Sequence, residues 1–304
     1  MQTKQQIQRL LASAGVSPNK RLGQHFLIDL NLMRLLISSA NIQSSDTVLE
    51  VGCGTGSLTE GLSRYAGKVI AVEADPILAE IAREQAATAD NIEVISTDIL
   101  ENKTTLSRTV LRAIRCARKK APGRFLLVSN LPYNVASPVM LNLVTGPAIA
   151  DGMYVTVQKQ VAERMTAEAG SSAYGTLTIF LKATGDVKTT RVLKPMVFWP
   201  QPRVDSAMVS YVHQRKKRER IRSYRAFQEV VNLFIGHRRK MLKTCTKFAQ
   251  GKLGEIHDWR SVFAHSSVDP ARRPEQLTPE DYVALANASL CGFGRSQGRL
   301  SGPA

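Results

Sequence analysis

Asn130-Leu-Pro-Tyr133 sets a carboxamide, a rigid proline and an aromatic ring in four consecutive residues, directly after the strand-like run Phe125 to Ser129. The side-chain oxygen of Asn130 and the backbone carbonyl of Leu131 can accept hydrogen bonds from an exocyclic NH2 on a planar nitrogen heterocycle. Those bonds would aim the nitrogen lone pair at an electrophile. Pro132 stiffens the turn through its fixed φ, and Tyr133 can stack on the heterocycle, an interaction worth about 1 to 3 kcal/mol per base. No strong base is needed, because the nitrogen becomes acidic as it is alkylated and its proton can pass to water. A site of this kind works by orientation and electrostatic complementarity.

A place for the electrophile is offered by Val51-Gly-Cys-Gly-Thr-Gly56. Gly52, Gly54 and Gly56 follow one strand-like run and precede a helix-like run from Ser57, so the backbone can come close to a ligand at the strand ends. A dinucleotide fingerprint would place glycine or alanine where Ser57 and Thr59 stand, and it fails here. S-adenosylmethionine has no phosphate to cradle and suits the turn. Glu73, ending the next strand-like run, can accept from both ribose hydroxyls, and Asp98, after the third, can accept from the adenine amino group. Taken singly, these are tight turns and solvated acids. As an ordered set they point to a class I methyltransferase.

The elements that must position these groups alternate. Strand-like runs at Thr47 to Val51, Lys68 to Val72, Asn91 to Ile95, Phe125 to Ser129 and Met153 to Val157 are separated by helix-like segments. This predicts an α/β fold, a Rossmann-like parallel sheet with helices on both faces. Asp75 and Pro76 read as the cap and first turn of one of those helices. Val204 to Val212 reads as a returning strand, and the charged run Arg215 to Arg220 marks a boundary or a solvated helix start. Beyond it, Phe227, Val230, Val231, Phe234, Arg238, Met241 and Leu242 keep helical spacing, and Thr278, Pro279 and Glu280 open another helix. The expected division is therefore a methyltransferase domain over 1–213 and a small helical domain over 214–304, with a mobile glycine- and serine-rich tail from about Cys291.

Composition narrows the function classes. Of 304 residues, 41 are Lys or Arg and 25 are Asp or Glu, a formal charge of +16 with a pI near 10.0, which suits a polyanionic partner. The longest apolar stretches, such as Val69 to Val72, fall well short of the roughly 20 residues of a membrane span. Four scattered cysteines form no C-x-x-C pair, and the five histidines include no pair at helical ligand spacing, so no metal is expected. There is no G-x-S-x-G turn for a serine nucleophile. The absence of acids before Asp29 resembles a mitochondrial presequence, but a motif already begins at Lys20, and a cytoplasmic protein is expected.

Five ordered motifs carry a closer resemblance: Lys20-Arg-Leu-Gly-Gln-His-Phe-Leu27, Glu50-Val-Gly-Cys-Gly-Thr-Gly56, Asn130-Leu-Pro-Tyr-Asn134, Phe198-Trp-Pro-Gln-Pro-Arg-Val-Asp-Ser206 and His237-Arg-Arg-Lys240. Together they resemble the ribosomal RNA adenine dimethyltransferases, specifically the small-subunit group, from about Lys20 to Leu290. Val268 to Tyr282 is also similar to that group. The resemblance implies two successive methylations of N6 on each of two adjacent adenosines near the 3′ end of small-subunit rRNA, within a pre-ribosomal 30S-like particle. It implies cofactor contacts from His25 and Leu27, with Gln24 beside them, and from Gly52, Glu73, Asp98 and Asn130. It implies a target-adenine site from Asn130 to Tyr133, walled across from Tyr133 by Phe198 and Pro200. Cys53 stands where many relatives have proline, and the stretch between Asp98 and Asn130 is longer than usual.

That longer stretch is informative in itself. At about 100° per residue, Arg108, Arg112, Arg115 and Lys119 share one helical stripe, while Leu106, Val110, Ile114 and Ala117 gather on the other side. Either this is a solvated basic face or it adds phosphate contacts near the active site. His237 to Lys240, Arg238 and Arg239 among them, and Arg215 to Arg220 are further candidates for rRNA contact, with packing or ion pairing as the other reading of Arg238. The target is expected to be unpaired, where extruding a base is least costly. A monomer is expected. The rival readings are a large-subunit rRNA adenine dimethylase of the antibiotic-resistance type, and a non-catalytic RNA-binding assembly or transcription factor on the same fold.

Overall fold

The computed structural model describes residues 1–19 and 23–291, which divide into two compact units, Met1–Thr166 with Asp186–His213, and Ala167–Gly185 with the chain from Gln214 onward. Lys20 to Leu22 of the first motif, and the tail expected beyond Cys291, lie outside the described residues. The division expected after residue 213 is one crossing between the units. The chain also leaves the first unit after Thr166 and re-enters it at Asp186.

In the first unit the strands are β1 (Phe26–Leu27), β2 (Thr47–Val51), β3 (Lys68–Glu73), β4 (Ile92–Ser96), β5 (Leu100–Asn102), β6 (Thr105–Leu106), β7 (Phe125–Asn130), β8 (Gly152–Gln158), β9 (Gly185–Leu193), β10 (Phe198–Trp199) and β11 (Ser206–His213). Among the described residues, seven of them form the main sheet in the order β4-β3-β2-β7-β8-β11-β9. From β4 to β8 the pairs are parallel, and β11 returns antiparallel to β8. All five residues of β2 are buried, as are Val69 to Glu73 in β3 and Phe125 to Ser129 in β7. Such β-branched and leucine-rich runs, buried on both faces, are what a central parallel strand requires. β1 and β10 form a separate short antiparallel pair.

The helices of this unit are α1 (Lys4–Ser13), α2 (Leu30–Ser39), α3 (Ser57–Ser63), α4 (Pro76–Ala86), α5 (Arg108–Lys120), α6 (Ala136–Thr145) and α7 (Lys159–Thr166). Their starts are written in the sequence. Thr3 and Gln6 form a reciprocal capping box on α1, and the Asp29 and Asp75 carboxylates each accept two backbone N–H groups at the heads of α2 and α4. The helix α5 is amphipathic as its spacing predicts. Val110, Ile114 and Ala117 are buried, the helix packs on β3 and β2, and Arg108, Arg112, Arg115 and Lys119 are exposed, whereas Leu106, expected on the same apolar face, lies ahead of the helix in β6. It covers the return from edge strand β4 to β7, which is the position of a crossover helix in a parallel sheet.

The second unit holds α8 (Thr176–Thr184), α9 (Arg215–Glu219), α10 (Tyr224–Gly236), α11 (Leu242–Cys245), α12 (Gly251–Gly254), α13 (Trp259–Ser266) and α14 (Pro279–Cys291). Helix α8 belongs here because its apolar side chains are satisfied here. It packs on α10 and α14, with the Phe180 and Phe227 rings edge to face at 4.9 Å. The long helix expected through Leu242 stops at Gly236 instead. His237 leaves helical geometry, and its ring Nδ1 donates back to the Leu233 carbonyl at 2.8 Å, satisfying one open acceptor of the last turn. Periodicity persists through 242 because Leu242 is buried from a different helix, α11.

Candidate active site

The strand order reverses between β2 and β7, and the carboxyl ends of β2, β3, β4 and β7 open onto one cleft that is partly exposed to solvent. This is the place where open α/β sheets bind ligands. His25, Leu27, Gly52, Gly54, Glu73, Asp98 and Asn130 to Tyr133 all line it. Residues from separate stretches of sequence are thereby brought to one wall-to-wall cavity.

The glycine-rich turn and the Asn130 turn interlock. Gly52 has φ +74°, and a Cβ there would lie 2.6 Å from Cγ of Pro132. Gly54 has φ +57°, and its Cβ would lie 2.8 Å from the ring of Phe26. Side chains at either position would therefore collide with the opposite wall as well as strain the backbone. Cys53, between them, is buried, and burial pushes its thiol up, so it stays protonated and apolar in character.

Glu73 is buried at the end of β3. One carboxylate oxygen accepts from Gly54 N–H at 2.8 Å and the other from Asp75 N–H at 3.0 Å. Burial raises its pKa, and those backbone donors oppose the rise. Each oxygen keeps a second lone pair, so the residue can still accept from a ribose diol. Asp98 is exposed at the mouth of the cleft, where one oxygen accepts from Leu100 N–H at 2.9 Å in a local turn. The glycine cradle and this pair of acids fit the nucleoside portion of S-adenosylmethionine.

Asn130 ends β7 with its carboxamide held from both sides. Its Nδ2 donates to the His25 carbonyl at 2.8 Å, and the Thr156 hydroxyl donates to its Oδ1. Because a carbonyl only accepts, the His25 contact determines which end of the amide carries nitrogen, and Thr156 holds the oxygen in place. Tyr133 is half-buried, with its hydroxyl bonded to Ser206 at 2.7 Å and its ring centroid 5.5 Å from that of His25. Burial raises the phenol pKa, which keeps it neutral. The His25 ring is fixed in turn, since Nδ1 lies 2.7 Å from the Pro200 carbonyl and must carry the proton there.

Phe198 requires a correction. It was expected to wall the cleft with Pro200, but it is 1% exposed and sits in the core with Leu27 and Met208. Adjacent strand residues face opposite sides, so in β10 it is Trp199 that faces out, beside Phe26 with 6.1 Å between ring centroids. Among the described residues around the cleft, neither Phe198 nor Pro200 contributes a wall. Pro200 acts instead through its carbonyl on His25. In the second unit, Arg238 and Arg239 lie in the turn after α10 rather than in a helix, and Arg238 is paired with Glu275 at 3.2 Å.

Several residues of this site received no role from the sequence, although Glu50 and Ser206 lie within two of the motifs. Thr156 and Ser206 lie on β8 and β11, and only strand register places them, Thr156 being directly opposite Asn130 and Ser206 opposite Gln158. Glu50 lines the cleft and is pushed up to about 8 by burial, with the Thr59 hydroxyl bond opposing and Glu73 adding to the rise. Ile7 arrives from α1, where Thr3-Lys-Gln-Gln6 ahead of Ile7, Leu10 and Leu11 is a legible helix start. Among the described residues no three His, Cys, Asp or Glu side chains gather to hold a metal ion, and no helix is long and apolar enough to cross a membrane.

A family model described as ribosomal RNA adenine dimethylase matches residues 15–288. The chain is 33% identical over 281 residues to a ribosomal RNA small subunit methyltransferase A from a Geobacillus species, covering 92% of this chain and 94% of that protein. Among solved structures, a dimethyladenosine transferase from Plasmodium falciparum superposes with a TM-score of 0.65 at 23% identity, covering 84% of this chain and 94% of that one. The 23S rRNA methyltransferase ErmE superposes at 0.61 with 21% identity, covering 86% and 98%. The fold is therefore shared with a dimethyladenosine transferase and with a 23S rRNA methyltransferase.

Proposed function

Because the chain belongs to the ribosomal RNA adenine dimethylase family, we propose that this cleft dimethylates N6 of two adjacent adenosines near the 3′ end of small-subunit rRNA. The preference for the small subunit rests on the 33% identity across nearly the whole length of a small-subunit enzyme. S-adenosylmethionine, when bound, supplies a methyl group activated on a sulfonium sulfur. Gly52 and Gly54 give its nucleoside room, Glu73 accepts from the ribose, Asp98 from the adenine, and His25 and Leu27 close over it.

The observation that carries the reading is the two-sided clamp on Asn130. Its Oδ1, already oriented by Thr156, retains a lone pair for one N6 hydrogen, and the Leu131 carbonyl accepts the other. The nitrogen lone pair is thereby turned away from the ring plane toward the cofactor pocket. Tyr133 supplies a stacking face, and Pro132, wedged against Gly52, keeps the turn from moving when the base enters. The proton lost on alkylation leaves to water. This is catalysis by placement, for which effective molarities are large.

The exposed stripe Arg112, Arg115 and Lys119 on α5 holds rRNA phosphates, with Arg108 joining it on release from Glu101, to which it is paired at 3.4 Å. Arg239, in the second unit, is by itself a further cation for rRNA. The protein acts in the cytoplasm as a monomer on a pre-ribosomal 30S-like particle. Incubation with labelled S-adenosylmethionine and unmethylated small subunits, followed by nucleoside analysis, is expected to yield N6,N6-dimethyladenosine in small-subunit rRNA. Product in large-subunit rRNA alone would reverse the assignment. Asn130→Ala is expected to lose about 100-fold or more in turnover while remaining folded, and near-normal turnover would remove its proposed role.

A further inference from the structure

The N-terminal segment reaches the same cleft through Ile7 and braces its glycine-rich turn through Gln2. The Gln2 side chain is 6% exposed, and three hydrogen bonds bind this residue to the glycine-rich turn. Its Nε2 donates to the Thr55 carbonyl at 3.0 Å, the Thr55 hydroxyl donates to its Oε1 at 2.6 Å, and its backbone N–H donates to Ser57 Oγ at 2.7 Å. Thr55 and Ser57 both line the cleft, immediately beyond the Gly54 that faces Phe26. A long flexible amide is rarely buried unless its donors and acceptors are matched, and here each end meets the complementary group.

The helix that follows Gln2 is anchored independently. Ile7 and Leu11 are buried against Leu78 and Ile81 of α4, the helix that begins just after Glu73, and Ile7 also lines the cleft. Phe26 and Trp199 pack on the edge of that same cluster. Gln24 reaches across to Asp75, the cap of α4, at 3.1 Å. The segment thus touches the turn that must accommodate the cofactor and the helix that follows its ribose acid.

Resting on the cofactor reading given above, we infer that Gln2 is a positioning residue for the cofactor turn, and that docking of α1 and binding of the cofactor are coupled. Gln2 holds Thr55 and Ser57 so that Gly52 and Gly54 keep their left-handed geometry without a ligand to enforce it. The cofactor, once seated against Ile7 and that turn, holds α1 in place. Coupling of this kind is reciprocal.

Calorimetric titration with S-adenosylhomocysteine tests this on the full chain. For Gln2→Ala, which loses both side-chain bonds, and for the isosteric Gln2→Glu, which loses the donor to Thr55, the dissociation constant is expected to rise about fivefold to tenfold. The KM for S-adenosylmethionine should rise in parallel, with kcat at saturating cofactor within about twofold of wild type, a split that a general loss of stability would not produce. In the wild-type protein, hydrogen exchange should show added protection of α1 amides on binding S-adenosylhomocysteine, a readout that needs no variant. Unchanged affinity in both variants, or α1 amides indifferent to the ligand, overturns the inference. A wild-type protein that does not bind S-adenosylhomocysteine overturns the cofactor reading beneath it instead.

Discussion

Asn130 depends on two neighbours of opposite hydrogen-bonding character, and this makes Thr156 a separable part of the site. Thr156→Val preserves shape at a position 1% exposed but removes the hydroxyl that holds Oδ1. A lost neutral hydrogen bond of about 1 kcal/mol corresponds to a fall in kcat of roughly fivefold. Thr156→Ser should restore most of the rate. A valine variant at full speed would show that the clamp is dispensable. Glu50 gives a different kind of test, because its folded pKa of about 8 lies above the ordinary carboxylate value. The folded chain then keeps a proton that the unfolded chain releases, so Glu50 lowers stability progressively as pH rises from about 4.5 to about 8, with no further change above. Denaturant titrations of Glu50→Gln should match wild type near pH 5 and exceed it by up to about 4 kcal/mol near pH 9. A constant difference across that range would mean that Glu50 is ionised in the fold.

At the level of elements, α5 shows how far pattern alone carries. Its buried face and its exposed basic stripe both follow from spacing, since the helical period places Val110, Ile114 and Ala117 on one side and Arg108, Arg112, Arg115 and Lys119 on the other. Replacing Arg108, Arg112 and Arg115 with Gln is expected to weaken rRNA binding and to flatten the dependence of log K on log salt by about 0.7 for each single-strand phosphate no longer neutralised. An unchanged slope would make the stripe a solvated surface. The helix expected through Leu242 shows the opposite case. Helical spacing continues past Gly236 because two separate helices bury residues in the same core, and a period cannot tell one helix from two in succession. β10 is a third case. It is too short for its alternation to be read from composition, so which of Phe198 and Trp199 faces inward waits on its pairing with β1.

Across the whole molecule, the +16 charge and the ordered motifs pointed to a nucleic-acid methylating enzyme, and the family match agrees. The parallel strands were legible because central β-strands must be apolar on both faces, and the start of α4 because Asp75 satisfies open backbone donors locally. The assignment of Ala167–Gly185 to the second unit was not, since its apolar residues would suit either core. By itself, then, the chain specified which chemistry was possible: an amide, a proline and a tyrosine after one strand, and glycines and acids after others. Only the tertiary structure decided which groups meet. Asn130 finds Thr156 26 residues away through strand register, Pro132 finds Gly52 across the switch point, and Gln2 finds Thr55 through the docking of α1. The physical reason is range. Caps, turns and periodicity are settled within a few residues, whereas partners across a parallel sheet are separated by whole crossovers and are set by register and packing that no short window contains.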